Sequence, residues 1–143
     1  MHLVIDIGNT SAKIAVFSQG EMRYVVRCSN QSLEGLDELC QQYPIQKGIW
    51  ASVISISEEI QQQLQQLPFP MTEFTYQTPI PIRNLYQTPQ TLGVDRLAAV
   101  IAAYTQKPHH PALVIDAGTC ITYDFIDELG QYQGGNISPG MEM

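Results

Sequence analysis

An aspartate at the end of a short apolar run, followed by glycine and a hydroxyl, occurs twice in this chain. Leu3, Val4, Ile5, Asp6 and Gly8 of MHLVIDIGNTSAK reappear as Leu113, Val114, Ile115, Asp116 and Gly118 of ALVIDAGTCITYD. In the first copy Gly8 permits a tight turn and close backbone approach, while Asn9, Thr10 and the N–H groups of the turn can donate to phosphate oxygens. Lys13 adds a positive charge. Asp6 and a phosphate are both anionic, so the natural task of Asp6 is to hold a hydrated magnesium ion that meets the phosphates. Taken alone, the segment reads equally well as a plain hairpin turned by Asp6 and Asn9. The second copy, with Asp116, Gly118 and Thr119, favours a phosphate cleft, because an ordinary hairpin has no reason to be reproduced.

A second candidate constellation is LGVDRLAAV, where Asp95 and Arg96 open a helix just after an irregular segment. An acidic residue in a first turn complements the helix dipole, and that alone accounts for many such aspartates. Arg96 is unfavourable on the same ground. A carboxylate base beside a guanidinium at a helix N-terminus suits binding an anionic substrate and taking a proton from its hydroxyl.

These residues need elements to position them. HLVIDIG, SAKIAVFSQG and EMRYVVRCS read as three strands in a meander, with Gln19-Gly20 as a turn. Leu33, Leu36, Leu39 and Cys40 fall at helical spacing, predicting a helix over 33–43 with Ser32 as its cap. KGIWASVI reads as a buried strand, and the segment from Ser57 to Leu67 reads as a glutamine-rich helix ended by Pro68. After a short strand near Met71 to Phe74, the proline-rich stretch to Asp95 is expected to be irregular, and irregular segments of this length tend to be functional. A helix follows from Gly93, and after Pro108-His109-His110-Pro111 the strand, strand, strand order restarts. The repeat predicts a domain over 1–107 and a second similar one beginning at 111–143, with a phosphorylated ligand between them. If the two domains match in size, about a hundred further residues are expected after Met143.

Composition narrows the classes. At 44% hydrophobic residues the chain can build a proper core. A net charge of −7, with seven Lys and Arg in all, argues against a nucleic-acid backbone as partner. No run approaches the roughly 18 apolar residues of a membrane span, and the N-terminus carries no basic region before a long apolar one, so a cytoplasmic protein is expected. Cys28, Cys40 and Cys120 lack C-x-x-C spacing and read as reduced structural thiols, while His109 and His110 read as solvated loop residues.

DIGNTSAK, GVDR, DAGTCITYD and GGNISPG, in this order and at these distances, resemble the type III pantothenate kinases of the actin-like and sugar-kinase phosphotransferase superfamily. The resemblance implies an α/β, ribonuclease-H-like fold whose first three strands are antiparallel. It also implies transfer of the γ-phosphate of ATP to pantothenate, the first step of coenzyme A synthesis. By position, Asp6, Ile7, Gly8, Asn9, Thr10, Ser11, Ala12 and Lys13 would bind ATP with Mg2+, and Thr119 would touch ATP from the second domain. Tyr86, Gly93, Val94, Asp95 and Arg96 would contact pantothenate, with Asp95 as proton acceptor. Asp116 would bind a monovalent cation, K+ or NH4+, near the interface of a homodimer. The family's second domain continues well past PGMEM, so residues 1–143 by themselves are expected to be inactive. Two other readings share these residues: another phosphotransferase or phosphatase of the superfamily, and a nucleotide-binding regulatory module of the same fold.

Overall fold

The computed structural model describes residues 1–141. The chain divides into two compact units, one over Met1–Thr75 and one from Tyr76 on. In the first, β1 (His2–Ile7), β2 (Ala12–Ser18), β3 (Glu21–Cys28), β4 (Lys47–Ser52) and β5 (Met71–Glu73) form one sheet in the order β3-β2-β1-β4-β5. The first three strands are antiparallel, as expected, and β4 and β5 run parallel to β1. The β2–β3 hairpin turns at Gln19 and Gly20, whose φ values of 52° and 79° are the left-handed pair that suits a two-residue hairpin.

Alternation decides which face of this sheet is the core. Leu3, Ile5 and Ile7 of β1 and Ile14 and Val16 of β2 are buried together with Leu36 and Leu39 of α1 (Leu36–Gln42) and Ile60 and Leu64 of α2 (Glu58–Gln65). Each such side chain contributes about 1.5–3 kcal/mol by leaving water. Ser57 caps α2, its Oγ accepting from the Ile60 N–H at 3.3 Å. The first helix is shorter than the spacing predicts. Leu33 lies in the left-handed region at φ 45° and is fully buried before the helix begins, and Gly35, at φ 84°, is the residue before the first turn. Ser32 therefore does not cap the helix, and its hydroxyl donates to Glu34 Oε1 instead. The leucine period was right about burial, but a tight turn, closed by the Leu36 N–H on the Leu33 carbonyl, delivers Leu33.

The second unit contains β6 (Arg83–Asn84), a 3-10 turn at Pro89–Thr91, α3 (Val94–Gln106), β7 (Ala112–Ala117), β8 (Cys120–Ile126) and β9 (Gln131–Pro139). Its sheet runs β6-β9-β8-β7, with β7, β8 and β9 antiparallel and the two-residue β6 parallel to β9. α3 packs on β7 and β8 and buries Arg96, Leu97 and Val100. Compactness and repeat thus mark different boundaries. The repeat restarts at 111, whereas the units part after Thr75, because the apolar side of α3 is buried within the second unit. Residues 142–143, the end of the expected 111–143 segment, lie outside the described residues.

Among the described residues no helix is long and apolar enough to cross a membrane. Cys28 and Cys40 carry free, half-buried thiols, and burial pushes both above the usual thiol range. His109 and His110 are exposed loop residues, the ring of His109 standing edge-on to Tyr104 at 6.4 Å.

Candidate functional site

The expected nucleotide residues fall on a single hairpin of the first unit. Asp6 and Ile7 end β1, Gly8 to Ser11 make the turn, and Ala12 and Lys13 begin β2, with Asp6 and Lys13 directly opposite each other in the register. Ile7 and Ala12 point into the core, so Asp6 and Lys13 lie on the opposite face of the sheet, Asp6 half-buried and Lys13 exposed. The turn is closed by the Gly8 N–H donating to the Ser11 carbonyl at 3.0 Å. Asn30, just past β3, donates from its amide to the Gly8 carbonyl at 2.9 Å and the Asn9 carbonyl at 3.0 Å.

The expected substrate residues lie on the second unit, where the structure adds two residues that sequence reasoning missed. Asp95 is exposed in the first turn of α3, and its Oδ1 accepts from the Arg96 N–H at 2.8 Å. A Cβ on Gly93 would stand 2.5 Å from that same oxygen, so glycine leaves room for the carboxylate to fold back over the start of the helix. Arg96 has a protein partner. Its side chain turns inward and is 7% exposed, with Nε donating to both oxygens of Asp124 and Nη2 donating to Oδ1 at 2.6 Å. The hydroxyl of Tyr132 donates to Asp124 Oδ1, and the ring of Tyr132 stacks on that of Tyr86 with centroids 6.2 Å apart.

This arrangement explains why a cation is tolerated in a first helical turn. Asp124, 1% exposed, supplies the opposite charge at contact distance. The bond to Asp124 holds the Arg96 guanidinium above its usual range against the opposing effect of burial. Burial, and then the bond to Asp124, push the Tyr132 phenol well above its usual value. The paired glycines make space for the cluster. A Cβ on Gly135 would fall 1.6 Å from the Tyr123 carbonyl oxygen, and Gly134, at φ 101°, lies under the Tyr86 ring. An aspartate in the middle of the apolar strand CITYDFI and an arginine on the buried side of α3 were the signals available for this pair, since neither charge is buried without a partner.

Asp116 is exposed near the end of β7, and Thr119 lies in the β7–β8 turn, where its carbonyl accepts from the Gly140 N–H at 3.0 Å. Among the described residues no group of three or more His, Cys, Asp or Glu is placed to hold a metal ion. The expected residues therefore fall into two sets, Asp6 to Lys13 on the first unit and Tyr86, Gly93 to Arg96, Asp116 and Thr119 on the second.

The family model described as type III pantothenate kinase matches residues 2–143. The chain belongs to the type III pantothenate kinase family. A type III pantothenate kinase from Phocaeicola vulgatus is 60% identical over 143 residues, covering 100% of this chain and 59% of that protein. One from Bacteroides fragilis is 55% identical over the same span, again covering 100% of this chain and 59% of its own length. The chain thus spans about three fifths of these curated relatives. A crystal structure of the Aquifex aeolicus Ppx/GppA phosphatase covers 96% of this chain and 51% of its own, at 16% identity and a TM-score of 0.46.

Proposed function

We propose that this protein acts in the cytoplasm and uses ATP to phosphorylate pantothenate, the entry reaction of coenzyme A synthesis. One observation carries the reading: in a chain of this family, a solvent-facing carboxylate, Asp95, is fixed at the start of α3 by the Arg96 N–H at 2.8 Å, beside a glycine that leaves it room. Asp95 is the proton acceptor for the pantothenate hydroxyl, with Oδ2 outside the bond to Arg96. Tyr86, Gly93, Val94 and Arg96 are the assigned pantothenate contacts. Because Asp124 takes the Nε N–H and one N–H of Nη2 of Arg96, any contact between this guanidinium and the substrate carboxylate falls to Nη1 and the second N–H of Nη2.

ATP supplies the γ-phosphoryl group, and its assigned contacts are Asp6, Ile7, Gly8, Asn9, Thr10, Ser11, Ala12, Lys13 and Thr119. The hairpin turn suits phosphate through its backbone N–H groups and Lys13, and Asp6 suits a magnesium ion that keeps most of its waters. Asp116 is assigned to K+ or NH4+, supported by its exposed carboxylate near the β7–β8 turn. A homodimer is supported by Leu113, Ile115 and Phe125, which share one face of β7 and β8 and are 61%, 57% and 42% exposed. Positioning and charge neutralisation carry most of the catalysis in such a transfer.

The test is Asp95→Asn in the full-length protein. Turnover is expected to fall by about 10² to 10⁴, the usual contribution of a general base, with the folded state retained. If Asp95 only complemented the helix dipole, the variant would keep its rate and lose at most about 1 kcal/mol of stability. Equal turnover in the two proteins would rule out the catalytic assignment.

A further inference from the structure

The hairpin assigned to ATP is held by a residue far from it in sequence. Asn30 follows β3, and its single amide nitrogen donates to two consecutive carbonyls of the turn, Gly8 at 2.9 Å and Asn9 at 3.0 Å. An amide nitrogen has two N–H donors, so both are used, and two carbonyl acceptors require the nitrogen rather than the oxygen of the side chain to face the turn. In a planar trans peptide the N–H following a carbonyl points the opposite way. Fixing the Gly8 and Asn9 carbonyls on Asn30 therefore turns the N–H groups of Asn9 and Thr10 towards the other side of the turn. Successive N–H groups aimed to one side are what an anionic ligand needs from a backbone.

We infer that Asn30 is a positioning residue for the nucleotide: it sets the peptide planes of Gly8-Asn9 and Asn9-Thr10 so that the turn presents donors to phosphate. The inference rests on the ATP assignment of the hairpin. A residue that merely tied the end of β3 to the turn would affect stability and leave nucleotide affinity alone, so affinity and stability are read separately.

The experiment is equilibrium dialysis of ATP on the full-length protein, together with KM for each substrate and the thermal midpoint. Asn30→Asp keeps the size of the side chain but sets a carboxylate against two carbonyl oxygens. It is expected to lower the thermal midpoint by a few degrees, the effect of two lost hydrogen bonds, and also to weaken ATP binding and raise KM for ATP about tenfold or more, while KM for pantothenate stays close to wild type. Asn30→Gln, which keeps the amide, is expected to recover part of the loss. Wild-type ATP affinity in Asn30→Asp, or a lowered midpoint with both KM values unchanged, would overturn the inference. If the wild type binds ATP without phosphorylating pantothenate, the functional reading fails while the dialysis still decides the role of Asn30.

Discussion

β1 and β7 carry nearly the same residues and bury opposite sides of them. Leu3 and Ile5 of β1 are 0% and 1% exposed, whereas their counterparts Leu113 and Ile115 of β7 are 61% and 57% exposed. In the first unit the leucine and isoleucine side packs with α1 and α2. In the second unit the charge at the core of the α3 contact is Asp124, which pairs in register with Val114, so α3 engages the other side of β7 and β8. Which face of a strand becomes core is thus set by where the helix lands, and the same LVID run serves either way. The two covered faces also differ in kind, since one is wholly apolar and the other contains a buried ion pair.

The largest expected effect is on that ion pair. Asp124→Ala leaves the Arg96 guanidinium buried without a counter-charge and is expected to cost about 3–5 kcal/mol. Asp116→Ala, at an exposed position of the neighbouring strand, is expected to stay within about 0.5 kcal/mol of wild type. Urea denaturation of both variants checks the pair, and equal losses would mean that α3 does not select one face. Next in size are the matched isoleucines: Ile5→Ala is expected to cost about 2–5 kcal/mol by leaving a cavity. Ile115→Ala is expected to cost less than about 1 kcal/mol at 57% exposure. A large loss at Ile115 would show its face to be covered in solution.

The smallest effect is at Tyr132, and it is distinguished by its pH dependence. Tyr132→Phe removes one bond to a carboxylate and is expected to cost about 1–3 kcal/mol near neutral pH. The folded chain holds the phenol protonated above its usual range, so as pH rises past about 10 the unfolded chain releases this proton first. The contribution of Tyr132 is therefore complete below about pH 10 and is lost above it. Denaturation midpoints between pH 9 and 11 are expected to fall more steeply in wild type than in Tyr132→Phe. Parallel curves would detach the phenol from the ion pair.

Much of this was legible in the residues. The three-strand meander, the Gln19-Gly20 turn, the helix that begins at Ser57, the helix opening at Gly93 and the restart after Pro111 all depend on neighbours within a few positions, where periodicity and turn chemistry act. The motifs DIGNTSAK and GVDR could be picked out for the same reason, since each is short and its residue types carry the chemistry. What escaped were contacts between distant parts of the chain. Arg96 meets Asp124 across 28 positions and Asn30 meets Gly8 across 22, and no local pattern specifies either pairing. The early end of the predicted first helix has the same origin, because burying Leu33 through a left-handed turn satisfied the core better than one more helical turn. Sequence by itself determined the elements and the kinds of chemistry at their ends. The tertiary structure alone decided which face of each strand is covered, and which charges and amides meet, because those outcomes depend on burial against remote partners.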